Sequence, residues 1–121
     1  MGEPLLNYEH VKKSIHISCS QKKLDLSNRR ITVSTCGIAP RIIDFAHDFP
    51  QVSLAVSLHA PNDVARKKIM PVENTYPIDV LMSAIDEYVK ITNKRVFYEY
   101  IMINGVTDRL EFAKELALLL K

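Results

Sequence analysis

The amino-acid sequence predicts an α/β protein whose strands run parallel. Stretches with the alternating, β-branched pattern of strands occupy 30–36, 52–58 and 95–103. Apolar residues at helical spacing fill the stretches between and around them. Because strand and helix patterns alternate along the chain, we expect three neighbouring parallel strands, joined by right-handed crossovers and flanked by helices.

Helical patterns lie on both sides of the first predicted strand. Over roughly 8–20, apolar residues recur at helical spacing and predict a first helix. After the strand at 30–36, Pro40 suits the first turn of a second helix, where a backbone N–H would have no partner within the helix. The apolar positions of this second helix are Ile42, Ile43, Phe45 and Ala46.

The second half of the chain holds the clearest strand and the strongest helix. The strand at 52–58 alternates strictly, and the helix that comes later opens with Pro77 at its first position. The apolar positions of that helix are Ile78, Leu81, Met82, Ile85, Tyr88 and Val89. Asp108 followed by Glu111 resembles a capping box, which predicts a last helix from Leu110 to Leu120.

One face of the predicted sheet carries small and polar residues. On the strand at 52–58 these are Ser53, Ala55 and Ser57, opposite large apolar residues. A closed, tightly packed barrel is filled by bulky branched side chains instead. The pattern is typical either of a partly open barrel with room for a ligand or of an open sheet with one exposed face.

Short polar runs follow the predicted strands. They occupy 34–37 (Ser-Thr-Cys-Gly) and 57–60 (Ser-Leu-His-Ala), and a similar run, 1–4, opens the chain. In parallel α/β sheets and barrels, ligands bind at the carboxyl ends of the strands. Several polar strand ends on one rim therefore predict a binding site there.

Composition is that of an ordinary soluble domain of 121 residues, with 47% hydrophobic and 25% charged residues. The formal net charge of +2 does not argue for nucleic-acid binding by itself, and we interpret the basic run 66–68 as solvated surface. Two cysteines, Cys19 and Cys36, make no disulfide framework, which favours a reducing cytoplasm. No stretch is long and apolar enough to predict a membrane span.

Three segments in order, 2–7 (Gly-Glu-Pro-Leu-Leu-Asn), 29–37 (Arg-Arg-Ile-Thr-Val-Ser-Thr-Cys-Gly) and 56–63 (Val-Ser-Leu-His-Ala-Pro-Asn-Asp), resemble the RlmN family. Shorter matches at 98–100 and 104–108 extend the resemblance over nearly the whole chain. Members of this family are radical S-adenosylmethionine enzymes that methylate C2 of an adenine in 23S rRNA and in certain tRNAs. The resemblance implies part of a partial TIM-like (β/α)6 barrel.

The resemblance also implies a set of cofactor-binding residues: Gly2, Glu3, Ser34, Ser57, Leu58 and His59. Gly2 and Glu3 match the segment that recognises the amino group of S-adenosylmethionine, whose ammonium can only donate hydrogen bonds. Ser34 matches a ligand contact, and Ser57 to His59 match the segment that contacts ribose and adenine. The alternatives are a solvated Glu3 and a purely structural His59. For Glu99 we expect a buried carboxylate that fixes Arg29 or Arg30.

The resemblance implies a [4Fe-4S] cluster held by a Cys-x-x-x-Cys-x-x-Cys loop, and this spacing is missing here. Cys19 and Cys36 cannot replace it, and we interpret Cys36 as a small side chain, not a nucleophile. We therefore expect residues 1–121 to be the central part of a radical SAM catalytic core. The N-terminal cluster-binding region and the C-terminal strand would be absent, no residue here would be catalytic or bind metal, and the chain alone would be inactive.

The partners that the resemblance implies are 23S rRNA, tRNA and a reductant such as flavodoxin. We also expect self-association through exposed sheet edges, because unpaired strand edges template further pairing. Two alternatives stay open: a radical SAM enzyme that acts on another substrate, and a non-enzymatic α/β module that binds a nucleotide or a partner.

Overall fold

The computed structural model describes residues 2–121, which form five α-helices, three strands and three short 3-10 turns. The α-helices and strands are α1 (Tyr8–Cys19), β1 (Thr32–Thr35), α2 (Ala39–Asp48), β2 (Ser53–Ser57), α3 (Asp63–Ile69), α4 (Ile78–Thr92), β3 (Phe97–Glu99) and α5 (Leu110–Leu119). The 3-10 turns are Pro4–Asn7, Asn28–Arg30 and Pro71–Asn74. The predicted α/β class and the order of strands and helices are confirmed, with one additional helix.

The three strands form one parallel sheet in the order β1-β2-β3. Val33 of β1 lies opposite Leu54 of β2, and Ala55 of β2 lies opposite Phe97 of β3. The prediction of neighbouring parallel strands is confirmed. Because all three strands run the same way, their carboxyl ends meet at one rim of the sheet.

The core lies between one face of the sheet and the helices. Leu54 and Val56 of β2 are fully buried there, against Phe45 of α2 and Tyr88 of α4. The Tyr88 hydroxyl, also fully buried, donates to the backbone carbonyl of Val52 at 3.0 Å, so the buried ring keeps its polar group satisfied. Burial of apolar surface on this face, at about 25 cal/mol per Å², is the main force that holds the helices to the sheet.

The opposite face of the sheet is largely uncovered by residues 2–121. Ser34 of β1 and Glu99 of β3 are exposed on it, and Ser53 and Ser57 of β2 are half-buried. The small and polar residues of the predicted alternation therefore lie on this face, where Ala55 between the two serines is itself buried. A ligand can reach this face from the rim.

The first strand is shorter than predicted. Asn28–Arg30 forms a 3-10 turn, in which the Ser27 hydroxyl accepts from the Arg29 amide, so β1 begins only at Thr32. A side-chain oxygen that caps a turn competes with a strand ladder for backbone groups. The predicted start at residue 30 is therefore wrong by two positions.

The third strand is also shorter than the predicted range 95–103. The buried Thr107 hydroxyl donates to the Ile101 carbonyl at 2.6 Å and accepts from the Ile103 amide at 2.7 Å. The Tyr100 hydroxyl donates to the Thr107 carbonyl at 2.9 Å. These bonds fold the chain after Glu99 into a compact loop, so the backbone groups of residues 101 and 103 do not extend the sheet.

The predicted capping box at the start of α5 is wrong. The residue before the helix is Arg109, which makes no side-chain cap, and the Asp108 carboxylate accepts from the Gly105 amide at 2.8 Å. Asp108 therefore stabilises the preceding turn and does not cap the helix.

The sequence did not predict α3, a helix of seven residues. Two polar side chains at its start make hydrogen bonds to the first turns of α3 and α4. The Asn62 side chain caps α3 by accepting from the Ala65 amide at 2.9 Å. Asp63 accepts from the Ile78 amide at 2.9 Å and so binds the start of α4.

Two predictions for this region are wrong. Pro77 lies just before α4, whereas the sequence predicted it as the first residue of that helix. Arg66 in α3 is fully buried, so the interpretation of 66–68 as solvated surface is wrong for this residue.

Gly37 follows β1 with φ +105°, a conformation that residues with a side chain rarely adopt. A Cβ at this position would lie 2.9 Å from Cδ1 of Leu81, which is fully buried in α4. Only glycine lets the chain turn here and lets α4 pack against the strand end.

Replacing Gly37 with alanine should lower the free energy of unfolding by about 2–4 kcal/mol, from backbone strain and overpacking combined. Gly105→Ala is the matched control, since φ is +71° there and nothing lies within 4 Å of the added Cβ. The control should cost about 1 kcal/mol, from strain alone. Urea unfolding measures both, and equal losses in the two variants would contradict the role given to Leu81.

Candidate functional site

A cleft of about 400 Å³ opens at the carboxyl ends of β1 and β2. Its volume falls within the range of about 300–1,000 Å³ usual for small-molecule sites. The lining residues are Gly2, Glu3, Pro4, Ser34, Thr35, Cys36 and Ser57. Four of the six residues named from sequence therefore line one cleft, although up to 55 positions separate them in the chain.

The Glu3 carboxylate ties the start of the chain to the end of β1. Its Oε1 accepts from the Leu5 amide at 2.9 Å and from the Thr35 hydroxyl at 2.7 Å. Its Oε2 accepts from the Cys36 amide at 2.7 Å. A carboxylate offers about four acceptor positions, so these three bonds occupy most of them, and the Cys36 thiol is a further hydrogen-bond partner of the carboxylate. Glu3 is half-buried and hydrogen-bonded, not a solvated side chain.

Thr35 is a site residue that sequence reasoning missed. Its side chain is 2% exposed, and its hydroxyl both donates to Glu3 and accepts from the Gly37 amide at 3.0 Å. A hydroxyl on the apolar face of a strand needs buried partners. The position of Thr35 on the same face as Val33 was the signal in the sequence.

The two serines of the cleft differ in their surroundings. Ser34 is exposed on the open face, whereas the Ser57 hydroxyl donates to Oε2 of Glu99 at 3.0 Å. Glu99 lies opposite Ser57 in the ladder and is exposed. The expectation that Glu99 is buried and fixes Arg29 or Arg30 is wrong, and Arg29 instead donates to Gln51 before the start of β2.

Leu58 and His59 continue from β2 but do not line the cleft. The Leu58 side chain is fully buried in the core, and its amide donates to the Glu99 carbonyl at 3.0 Å. His59 adopts φ +59°, which is uncommon for a residue with a side chain, and its amide also donates to the Glu99 carbonyl. Its Nδ1 accepts from the Ile101 amide at 3.2 Å, so the ring connects the end of β2 to the loop after β3.

Acid–base properties of the site favour neutral groups. Burial lowers the pKa of His59, and the acceptor role of Nδ1 requires that nitrogen to be unprotonated. Burial and the neighbouring Glu3 carboxylate raise the pKa of Cys36 to about 12. The Cys36 thiol therefore stays protonated near neutral pH and is a poor nucleophile.

The residues present do not fit an iron–sulfur cluster. The chain has two cysteines, in α1 and after β1, where three clustered thiolates are needed. Within residues 2–121, no group of three or more cysteine, histidine or carboxylate side chains could hold a metal ion. The cleft does fit part of a polar organic cofactor, since hydroxyls that donate and accept, as in Ser34 and Ser57, suit a ribose.

The helices over residues 2–121 are all too short or too polar to cross a membrane.

Comparisons with known proteins give the same family throughout. A model of the Radical SAM superfamily matches residues 1–117. The chain is 50% identical over 121 residues to a protein of Streptococcus suis, and 51% identical over 120 residues to one of Listeria welshimeri. Both relatives are named "Probable dual-specificity RNA methyltransferase RlmN". The alignments cover 100% and 99% of this chain but 33% of each relative, so the chain spans about a third of their length.

A solved structure gives the same result for the fold. The crystal structure of a radical SAM methyltransferase from Sphaerobacter thermophilus superimposes with a TM-score of 0.96 at 46% sequence identity. The match covers 100% of this chain and 36% of that chain. The resemblance found in the sequence is thus confirmed, and the fold is the corresponding part of a radical SAM methyltransferase fold.

Glu3→Gln should lower the free energy of unfolding by about 1–2 kcal/mol, because an amide cannot accept hydrogen bonds on both of its terminal atoms. Whichever way it turns, its NH₂ group faces a bonded donor. Glu9→Gln, at an exposed position of α1, is the control and should change stability little. Urea unfolding tests this, and an unchanged midpoint for Glu3→Gln would rule out the bonding described for Glu3.

Stability should fall on acidification through His59. The native pKa lies below the ordinary 6.5, so the unfolded chain binds more protons between the two values. The contribution of His59 to the free energy of unfolding is complete above about pH 6.5 and is lost as the pH falls through the native pKa. His59→Asn, which tolerates the positive φ but does not titrate, should remove it. The measurement is urea unfolding of both proteins from pH 7.5 to 5, and equal pH slopes would exclude it.

Proposed function

Because the chain belongs to the Radical SAM superfamily, we propose that its strand-end cleft binds S-adenosylmethionine and that the protein methylates C2 of adenine in 23S rRNA and tRNA. The observation that carries the binding proposal is the cleft itself, which gathers Gly2, Glu3, Ser34 and Ser57 from three parts of the chain. Polar groups that converge on a cleft at strand ends are the usual form of a cofactor site in this fold class.

Each part of the cleft has groups that suit a part of the cofactor. The Glu3 carboxylate and the backbone at Gly2, which both line the cleft, would receive the ammonium of the methionyl part. Ser34 and Ser57 would contact the ribose. The Leu58–His59 backbone and the His59 ring, which follow Ser57 outside the cleft lining, would border an adenine that extends beyond the cleft. S-adenosylmethionine supplies the methyl group that such an enzyme transfers.

The strained backbone of His59 supports its assignment to this site. A left-handed φ in a residue other than glycine costs of order 1–3 kcal/mol and persists where the surroundings hold it. Here two backbone amides bond to the same Glu99 carbonyl, and the Ile101 amide bonds to the ring. The neutral ring can offer its other nitrogen, Nε2–H, as a donor to a ligand.

The substrate part of the proposal is supported by the names of the relatives, which describe dual-specificity RNA methyltransferases. We propose that residues 1–121 are the central part of the catalytic core. The cysteines that bind a [4Fe-4S] cluster and the residues that bind RNA would then lie in other parts of the protein. This division is consistent with the one-third share of each relative that the chain covers.

The remaining partners are proposed on the same basis. The protein would act in the cytoplasm on 23S rRNA and tRNA, with a reductant such as flavodoxin. Over residues 2–121, β1 and β3 are the edge strands of the sheet, so self-association of this chain would occur through one of these edges.

Ser34→Ala and Ser57→Ala should each weaken S-adenosylmethionine binding by roughly fivefold to tenfold, the worth of one hydrogen bond of about 1 kcal/mol. Ser53→Ala is the matched control, since Ser53 lies on the same face of β2 but outside the cleft. NMR titration measures each dissociation constant. If Ser53→Ala weakens binding as much as Ser57→Ala, or if wild type shows no shifts near the cleft, the cofactor assignment fails.

The 121-residue chain alone should hold no stoichiometric iron–sulfur cluster and should methylate no RNA, because its two cysteines cannot supply three clustered thiolates. Anaerobic reconstitution with iron and sulfide, followed by iron analysis, tests the first statement. Mass spectrometry of RNA nucleosides tests the second, and it should detect C2-methylated adenine only when the chain is joined to a segment with the Cys-x-x-x-Cys-x-x-Cys loop. A stoichiometric cluster on the chain alone would disprove the division of the core.

A further inference from the structure

Arg66 is the largest fully buried side chain among the described residues, and it carries a charge into the protein. It lies in α3, with 0% of its surface exposed. Its Nε donates to the Leu58 carbonyl at 3.1 Å, and its Nη2 donates to the Cys36 carbonyl at 2.7 Å. A buried guanidinium is retained only where several acceptors surround it, and here these include backbone carbonyls at two strand ends.

Two of the carbonyls that Arg66 binds lie just beyond the end of the ladder between β1 and β2. The last residues that pair between β1 and β2 are Thr35 and Val56. The carbonyls of the next residues on the two strands, Cys36 and Ser57, both accept from Nη2 of Arg66, at 2.7 Å and 3.4 Å. One nitrogen, Nη2 of Arg66, therefore bridges β1 and β2 just after the last residues that pair between these two strands.

The bridge lies directly behind the cleft. Cys36 and Ser57 line the cleft from the β1 side and the β2 side, and each turns its carbonyl to Arg66. A change in the position of the guanidinium would therefore move both walls. None of the atoms that would touch a ligand belongs to Arg66 itself.

We propose that Arg66 is a positioning residue that fixes the separation of the two cleft walls and thereby the affinity for the cofactor. The proposal rests on the proposed function for its ligand, S-adenosylmethionine, but its structural part does not. Positioning within about 1 Å is worth up to about a hundredfold in enzyme sites, so a loose wall has a measurable effect.

The shape of the guanidinium, and not its charge alone, is what the bridge requires. Nε and Nη2 donate in fixed relative directions, which a flexible ammonium cannot reproduce. Asn62 caps the start of α3, the helix that carries Arg66, and Nη2 lies 3.5 Å from the place where a Cβ on Gly37 would stand.

The decisive variant is Arg66→Lys, which keeps the charge and loses the fork, with Arg66→Gln as a second variant in case the first does not fold. The first readout is amide exchange by NMR at Cys36, Leu58 and His59, with the Ser53 amide at the other end of the ladder as internal reference. In the wild type the Cys36 amide donates to the Glu3 carboxylate, and the Leu58 and His59 amides donate to the Glu99 carbonyl. The Ser53 amide donates to the Ile31 carbonyl. Exchange should rise at the three strand-end amides and not at Ser53.

The second readout is the dissociation constant of S-adenosylmethionine, which should rise roughly tenfold or more in Arg66→Lys. Ile85→Val and Ile85→Ala, in the buried part of α4 and away from the strand ends, supply controls of graded stability. The control variant whose urea midpoint is nearest that of Arg66→Lys shows how a general loss of stability affects the dissociation constant. We expect its dissociation constant for S-adenosylmethionine to equal that of the wild type.

The outcomes separate this proposal from the proposed function. Faster strand-end exchange together with weaker binding, both beyond the matched control, supports it. Unchanged exchange overturns it, and so does binding that matches the stability control. If wild type binds no S-adenosylmethionine, the proposed function fails. The positioning role of Arg66 is then decided by exchange alone, which supports it if the strand-end amides exchange faster and overturns it if they do not.

Discussion

The buried guanidinium of Arg66 joins the carboxyl ends of β1 and β2, and the geometry of the cleft depends on this contact. Burying a charge costs several kcal/mol unless polar partners replace water, and three backbone carbonyls are among those partners here. Because those carbonyls belong to Cys36, Ser57 and Leu58, the same contact fixes both walls of the cleft. Gly37 is required beside it, since a side chain there would meet α4 and approach the guanidinium.

The segment after β2 makes hydrogen bonds to several neighbouring elements. His59 connects to the loop after β3, Asn62 caps α3 and donates to Glu115 of α5, and Asp63 binds the start of α4. A run that resembles a ligand-binding motif therefore has mostly structural contacts. Its side chains hold the helices and loops around the strand ends, and this arrangement leaves the open face of the sheet accessible.

The chemistry of the cleft favours recognition over reaction. The Cys36 thiol is kept protonated by burial and by the Glu3 carboxylate, and most acceptor positions of Glu3 are occupied. The groups that remain in the cleft are hydroxyls and backbone atoms. Such groups hold a cofactor in a defined orientation, while the cofactor supplies the reactive bond.

The sequence by itself determined the α/β class, the parallel sheet and the rim on which the polar strand ends meet, because residue periodicity reflects which face of each element is buried. It also identified Gly2, Glu3, Ser34 and Ser57 as neighbours, through their resemblance to a family. Only the tertiary structure decided that Thr35 bonds Glu3, that Arg66 bonds the strand ends, and that Glu99 bonds Ser57. These hydrogen bonds join residues as much as 42 positions apart, and such pairings leave no local pattern in the sequence. The end of β3 at Glu99 was also decided there, because the Thr107 hydroxyl bonds the backbone of residues 101 and 103, and residue periodicity does not record such a bond.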